Sequence, residues 1–343
     1  MKETVIDENN VHFVFAGYSD VLMQSMFEDL LNLTNVTIIK ELLPFTPYIN
    51  GLLRGLAMRF YKHKICQYGF YFLEKIYCPL DRIKKNTHKT YLIFTNAASI
   101  GMSVPYLKKY LEQHMECIPV MLFLDSLDKY WAQYAKFLVD QIPQFKCFTF
   151  DPRDARDAGF KHTMSVYSYH KAEQGGMEAD IYFSFFGLDR LDDVRELAYY
   201  LEGKSVCCNF IYVGNINKDE YKMGFVKHEE HRMPYSQILK DAAQANCLLE
   251  ILRPGQAGST LRYYEAICYN KKLLTTNKNV VNLPFYNPRY IKIFETFSDI
   301  DYEWVRRREP VDYYYDGSFS PMHFLEEITE VAERHGYQQK NDV

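Results

Sequence analysis

Short apolar runs recur along the chain, each followed by a small or polar turn and then by a stretch with helical spacing. Residues 11–17 (VHFVFAG), 36–40, 91–95 (YLIFT), 119–124 and 147–150 read as strands. Between them, 21–31, 103–113 and 129–142 carry apolar residues three and four apart and read as helices, the second opened by Ser103-Val104-Pro105. Residues 50–77 are mostly helical in pattern, with Gly69 as a break. The alternation resumes after residue 180, with strands at 180–186, 206–213, 247–251, 271–275 and 290–294 and helices at 191–201, 234–245 and 260–269. Ser320 caps a last helix with Pro321 at its first position, running to about residue 334. Strands alternating with helices predict an α/β fold with parallel sheets.

The pattern breaks once. Residues 171–179 (KAEQGGMEA) are polar, contain Gly175-Gly176, and read as an interdomain linker. With 343 residues the chain is long enough for two cores. The predicted division is a first domain over 1–170, the linker 171–179, a second domain over 180–319, and a terminal helix and tail over 320–343.

Composition narrows the class. An apolar share of 48% and a charged share of 24% are those of a globular protein, and 29 tyrosines and 24 phenylalanines offer flat surfaces suited to sugars and bases as well as to a core. A net charge of −4 argues against general nucleic-acid affinity. The charge is unevenly spread: residues 54–89 hold nine Lys/Arg against Glu74 and Asp81, a net +7 that leaves −11 elsewhere. Interleaved aromatics make that stretch either a core helix with a solvated basic face or a helix that meets an anionic membrane surface or a polyprenyl-diphosphate acceptor; the concentration of charge favours the second. Eight cysteines without CxxC pairing fit a reduced compartment, and a polar start (MKETVIDENN) with no run of 18 apolar residues fits a cytoplasmic protein, peripheral on the inner face of a membrane. No metal is expected. In DPRDARD, Asp151, Asp154 and Asp157 alternate with Arg153 and Arg156, which reads as a salt-bridged helix start. His228 and His231 in KHEEHR are three apart, not the four of HExxH, and read as part of a charged loop.

The most informative stretch is 247–277, CLLEILRPGQAGSTLRYYEAICYNKKLLTTN. A strand enters a glycine-containing loop, Ser259 or Thr260 caps a helix, and a second strand follows: a βαβ unit. Such a loop brings free N–H groups and the positive end of a helix dipole to one point, an anion site to which Arg253 and Arg262 would add charge. Glu265, one turn into the helix, comes within reach of a ribose if phosphate occupies the loop. The plain alternative is a βαβ turn that binds nothing, with Arg262 and Glu265 as a surface i,i+3 ion pair. The glycines spell neither GxGxxG nor a P-loop.

The second half resembles bacterial glycosyltransferases of the GT-B architecture, the kind found in capsule, O-antigen and exopolysaccharide pathways. Many retaining members carry two glutamates eight positions apart before EAMAxGxPVI. Here Glu265-Ala266-Ile267-Cys268-Tyr269-Asn270-Lys271-Lys272-Leu273-Leu274 follows that second half, whereas the first glutamate falls at Ala257 and is missing, which puts a retaining mechanism in doubt. Gln256, Gly258, Thr260, Arg262 and Glu265 match a QxGxTxRxxE variant of polysaccharide-biosynthesis proteins. The resemblance, strongest over about 180–294, implies two Rossmann-like domains facing a cleft, the second holding a nucleotide-sugar donor. Gly258, Ser259 and Thr260 with Arg190 and Arg262 would hold the diphosphate, Gly187 and Arg253 would border it, and Glu265 would orient the ribose. The acceptor, a saccharide or a polyprenyl-linked one, would meet the first domain at Gly17 and Ser19. An inverting reaction needs a general base there, and Asp20 and Asp125 (the latter at the carboxyl end of a strand) are the candidates. The family needs no catalytic metal, and no DxD stands out. Three other readings share the sequence: a nucleotide-sugar epimerase of the same fold, an NAD enzyme (disfavoured without GxGxxG), and a non-catalytic nucleotide-binding scaffold.

Overall fold

The computed structural model describes residues 10–18, 25–42, 45–63, 71–77, 79–83, 89–164, 166–169, 178–216, 224–231, 233–253 and 255–341. The chain divides into one unit of residues 1–168 with 317–343 and another of residues 169–316.

In the first unit the apolar runs become strands β1 (Val11–Ala16), β2 (Val36–Ile39), β3 (Lys89–Thr95), β4 (Cys117–Phe123), β5 (Lys146–Thr149) and β6 (Lys161–His162). They form one parallel sheet in the order β2-β1-β3-β4-β5-β6. The helices among them are α1 (Pro47–Lys62), α2 (Tyr71–Tyr77), α3 (Val104–Gln113), α4 (Tyr130–Gln141) and α5 (Pro152–Ala158). Parallel strands are covered on both faces, which is why β3 and β4 are apolar almost throughout. Leu92, Phe94, Met121 and Phe123 form a core with Leu107 and Leu111 of α3 and Ala135 and Leu138 of α4.

The second unit repeats the plan with β7 (Ala179–Phe185), α6 (Leu191–Glu202), β8 (Cys208–Val213), β9 (Val226–Glu229), α7 (Tyr235–Ala243), β10 (Ala245–Glu250), α8 (Leu261–Cys268), β11 (Lys272–Thr275), β12 (Ile291–Ile293) and α9 (Tyr302–Arg306). Its sheet is also parallel, ordered β12-β11-β10-β7-β8-β9. Ile181, Phe183, Leu249 and Leu274 pack with Val194 and Leu197 of α6 and Trp304 of α9. The last helix, α10 (Pro321–Asn341), belongs to the first unit, where Phe324 meets Phe148 of β5 edge-on at 5.5 Å and Glu327 accepts from the Thr163 hydroxyl. Among the described residues no helix is long and apolar enough to cross a membrane.

Several expectations shift in detail. Of the helix expected over 21–31, Ser25 and Met26 are helical and a 3-10 turn follows at Glu28–Leu30, while residues 21–24 lie outside the described residues. The helix expected from residue 50 starts earlier, because Thr46 caps it by accepting from the Ile49 amide at 3.4 Å and Pro47 fixes its first turn. Lys227, His228 and Glu229, read as part of a loop, pair with Val226 as edge strand β9, whose polar side chains beyond Val226 give no apolar signal. Residues 171–177 of the expected linker lie outside the described residues, and Ala179 already belongs to β7.

Each sheet has a point where successive connections leave in opposite directions. It lies between β1 and β3 in the first unit and between β7 and β10 in the second. In open α/β sheets ligands bind beside the carboxyl ends of the two strands that flank such a point.

Candidate functional site

In the second unit the loop after β10 lies at that point. Glu250 ends β10 and is fully buried. One of its oxygens accepts from the Thr260 amide (2.6 Å) and hydroxyl (2.9 Å), the other from the Thr275 hydroxyl (2.6 Å) on β11. Burial pushes its carboxyl above the usual range while these donors pull it down. The carboxyl thereby ties the far end of the loop to the strand the loop left. Thr260 also caps α8 by accepting from the Arg262 amide at 3.2 Å. Asn277 donates to the Ser259 hydroxyl at 2.9 Å, and Gln256 to the Gly258 carbonyl at 2.9 Å. Among the described residues the amides of Gly258 and Ser259 donate to nothing, and both precede the N-terminus of α8. Free amides ahead of a helix N-terminus are groups from which an anion can accept.

Two guanidinium groups stand at the carboxyl ends of β7 and β10. Arg190 donates to the carbonyls of Phe186 (2.9 Å) and Ile251 (3.0 Å), which follow β7 and β10. Arg253, from the loop itself, reaches the same Phe186 carbonyl at 3.5 Å. Burial, and then the charge of Arg253, push the Arg190 pKa down to about 10. Its buried Nε has no partner among the described residues. The nearest carboxylate is Asp189, 3.8 Å from Arg253. Gly187 makes the turn at φ +87°, where a Cβ would stand 2.5 Å from Asp189 Oδ1. Two neighbouring cations set against one exposed carboxylate leave a positive excess that an anion would relieve.

Arg262 and Glu265, the residues expected at the diphosphate and the ribose, are hydrogen-bonded within the protein. Both are buried on the face of α8 that meets the sheet. Arg262 donates to Glu265 and, at 2.7 Å, to the Ser184 hydroxyl of β7, and its guanidinium lies 5.2 Å from the Tyr182 ring centre. The other oxygen of Glu265 accepts from the Tyr235 hydroxyl at 3.0 Å. The spacing that suggested a surface ion pair instead falls on the inward face, where a charge is tolerated only when paired and hydrogen-bonded.

In the first unit Gly17 follows β1 at φ +82°, with a hypothetical Cβ 2.9 Å from Ala98 Cβ, so only glycine fits there. Ser19 and Asp20 lie outside the described residues. Asp125 stands at the end of β4 and accepts from Asn96 at 2.9 Å. A pocket opens beside Gly17 and Ala98, lined also by Glu41, Asn50, Arg54 and Glu74. Glu41 accepts from Asn50 and Arg54, each at 2.9 Å. Glu74, buried on α2, accepts from the Ser103 amide at 3.0 Å and from the Ser103 hydroxyl. Burial pushes its carboxyl up to about 8 against those bonds. The sequence reading passed over Glu41, Glu74 and Glu250. The available signal was a lone glutamate ending or interrupting an apolar run, CLLE and FYFLEKIY.

The DPRDARD segment is a helix start: Asp151 caps α5 and pairs with Arg153, and Asp154 accepts from the Leu127 amide at 2.7 Å. His228 is bonded to the Gly214 carbonyl at 2.7 Å. Among the described residues no three His, Cys, Asp or Glu side chains cluster to hold a metal ion.

No protein-family model and no curated protein matches the sequence. Solved structures do. An α-glucosyltransferase in complex with UDP and a 13-mer DNA containing a HMU base superposes with a TM-score of 0.52 at 10% identity, over 93% of this chain and 99% of that one. A glycotransferase of kitacinnamycin gives a TM-score of 0.44 at 10% identity over 86% and 88%. An Arabidopsis thaliana protein complexed with UDP-L-rhamnose gives 0.45 at 13% identity over 87% and 88%. The fold is therefore the two-domain α/β architecture of GT-B glycosyltransferases, two parallel six-stranded sheets with interleaved helices.

Proposed function

We propose that the protein transfers a sugar from a nucleotide-sugar donor to a saccharide or polyprenyl-linked acceptor, in capsule or lipopolysaccharide assembly on the cytoplasmic side of a membrane. The observation that carries this reading is the convergence of Arg190 and Arg253 on the Phe186 carbonyl, beside the free amides of Gly258 and Ser259. The fold shared with a UDP-bound α-glucosyltransferase supports it. As the bond from the anomeric carbon to the diphosphate breaks, negative charge grows on the leaving oxygen. Fixed cations and amides there stabilise the transition state more than the ground state. The donor's charge is met by arginines and backbone rather than by a metal ion. Arg262 and Glu265 serve from below, holding the N-terminus of α8 against Ser184 and Tyr235.

The acceptor oxygen bonds to the anomeric carbon and gives its proton to a carboxylate of the first unit. Asp20 and Asp125 are the candidates; Glu74 lines the pocket beside Gly17, but burial keeps it protonated at neutral pH, so it faces the acceptor as a neutral group and not as the base. Gly17 and Ser19 border the acceptor, and the basic stretch over 54–89 favours an anionic membrane surface nearby.

The test is a calorimetric panel of UDP, GDP, CMP and NAD. One nucleoside phosphate is expected to bind selectively at roughly micromolar affinity. Binding of NAD alone, or of none of the four, overturns the reading.

A further inference from the structure

Helix α1 has two dissimilar faces. One is packed: Leu53 and Arg54 line the pocket, Ala57 is buried, the Tyr130 hydroxyl of α4 donates to the Met58 carbonyl at 2.7 Å, and Tyr61 donates to the Gln133 carbonyl at 3.3 Å. The other is bare and apolar. Tyr48, Leu52, Leu56 and Phe60 follow at four-residue intervals and are 76%, 54%, 42% and 39% exposed. That spacing makes them one ridge along the helix. Next in the chain, α2 lines the same pocket through Glu74 and turns Phe72 and Ile76 to solvent. Single exposed apolar side chains are ordinary, but a ridge of four on one helix marks a surface that is covered in use.

The charges around the ridge say what covers it. Residues 47–62 contain no Asp or Glu, although the whole chain is net −4. Arg54 is turned inward to Glu41, while Arg59 and Lys62 are exposed at the end where the ridge finishes in Phe60. An apolar ridge ending in cations, with no carboxylate to repel phosphate, fits an interfacial helix. Gly51 and Gly55 lie on this face with open space where a Cβ would stand.

We propose that α1 docks on an anionic bilayer, with Tyr48, Leu52, Leu56 and Phe60 seated among headgroups and upper acyl chains and Arg59 and Lys62 on lipid phosphates. This rests on the membrane-side part of the function proposed above and names the element that makes the contact. It also gives the contact a use. The packed face of the same helix walls the pocket, so ridge and pocket are separated by about one helix diameter, roughly 10 Å. A lipid-linked acceptor held in the bilayer under α1 has its headgroup beside Glu41, Arg54 and Glu74.

The experiment is flotation of the full chain with vesicles of phosphatidylglycerol and phosphatidylcholine, against vesicles of phosphatidylcholine alone. The wild type is expected to float with the anionic vesicles at low salt and to be released as salt rises. Leu52→Asp with Leu56→Asp is expected to cut binding about tenfold or more, since two apolar side chains no longer enter the interface. Arg59→Gln with Lys62→Gln is expected to weaken binding to anionic vesicles and flatten its salt dependence. All four positions are exposed, and circular dichroism checks that the variants fold. No flotation at low salt overturns the proposal, as does equal flotation of the Asp variant. A dimer that dissolves in the Asp variant, without lipid binding in the wild type, assigns the ridge to a second copy and also overturns it. The nucleotide panel is scored separately: vesicle binding without nucleotide binding removes the donor site and leaves this surface standing.

Discussion

The first sheet changes direction between β1 and β3, the second between β7 and β10, and each places its candidate site there. At the second sheet the groups that meet are Arg190, Arg253 and two free amides, around a loop fastened by Glu250 to Thr260 and Thr275. At the first they are two glutamates and one arginine around an open pocket, with Glu74 buried against Ser103. The scaffold supplies the crevice in both cases and the side chains decide its chemistry. A basic crevice suits a leaving diphosphate. A crevice lined by glutamates suits a hydroxyl acceptor, which carboxyl groups can hold by hydrogen bonds. If the two units divide the reaction in this way, changes in one should alter phosphate binding and changes in the other should alter proton-linked behaviour.

The largest effect is expected at Arg190. Arg190→Ala should weaken nucleoside diphosphate binding by roughly tenfold to a hundredfold, the range for a charge-assisted hydrogen bond of about 1.5–3 kcal/mol. Arg190→Lys, which keeps the charge and loses the planar fork, should fall between. Calorimetry with the nucleotide that binds best in the panel measures both. Unchanged affinity in Arg190→Ala would remove the basic half of the comparison.

The acidic half is tested by pH. In the fold Glu74 holds its proton up to about 8, against an ordinary value of 4.5. Between those values the unfolded chain releases a proton that the folded chain keeps. The stability linked to Glu74 is therefore complete below 4.5 and is lost as pH rises through 8. Glu74→Gln keeps the shape and cannot ionise. Its urea midpoint should lie near that of the wild type at pH 4 and above it at pH 9, by an amount worth a few kcal/mol at most. The other pocket groups, Glu41 with Arg54 and Asn50, are the same in both proteins and cancel in the comparison. A gap that does not change with pH would mean that Glu74 is ionised at neutrality.

Most of the second site's backbone was legible. The glycine loop and Thr260 cap between two apolar runs were read as strand, loop, helix and strand, and β10, α8 and β11 follow that order. Local chemistry determines such features: a cap is a matter of three residues. What was not legible depends on partners distant in sequence. Glu250 lies inside the strand expected over 247–251 with nothing local to account for it, and what explains it is Thr275, 25 residues away. Glu74 sat in an aromatic run and is explained by Ser103, 29 residues on. The Arg262–Glu265 spacing was visible, but its inward orientation is set by Tyr182, Ser184 and Tyr235 on other elements. Periodicity reports which face is apolar, and a buried ion pair mimics the polar face it displaces.

The smallest expected effect sharpens the comparison at its helices. α8 of the second unit is buried from Arg262 to Ile267, whereas α1 of the first is bare along one side. Gly51 and Gly55 lie on that bare side, and a Cβ added to either meets nothing within 4 Å. Inside a helix glycine costs about 0.5–1 kcal/mol relative to alanine, because it gives up more backbone freedom on folding. Where no neighbour is approached, replacing it should recover that amount. Gly51→Ala and Gly55→Ala are each expected to raise stability in urea by about 0.5–1 kcal/mol, and to add when combined if they act independently. A loss of stability would mean that another part of the chain lies close to the backbone there, and the outer face of α1 would then not be free to meet a membrane. A gain in the protein alone, together with weaker flotation of the alanine variants, would show that the two glycines let something approach the helix only when lipid is present.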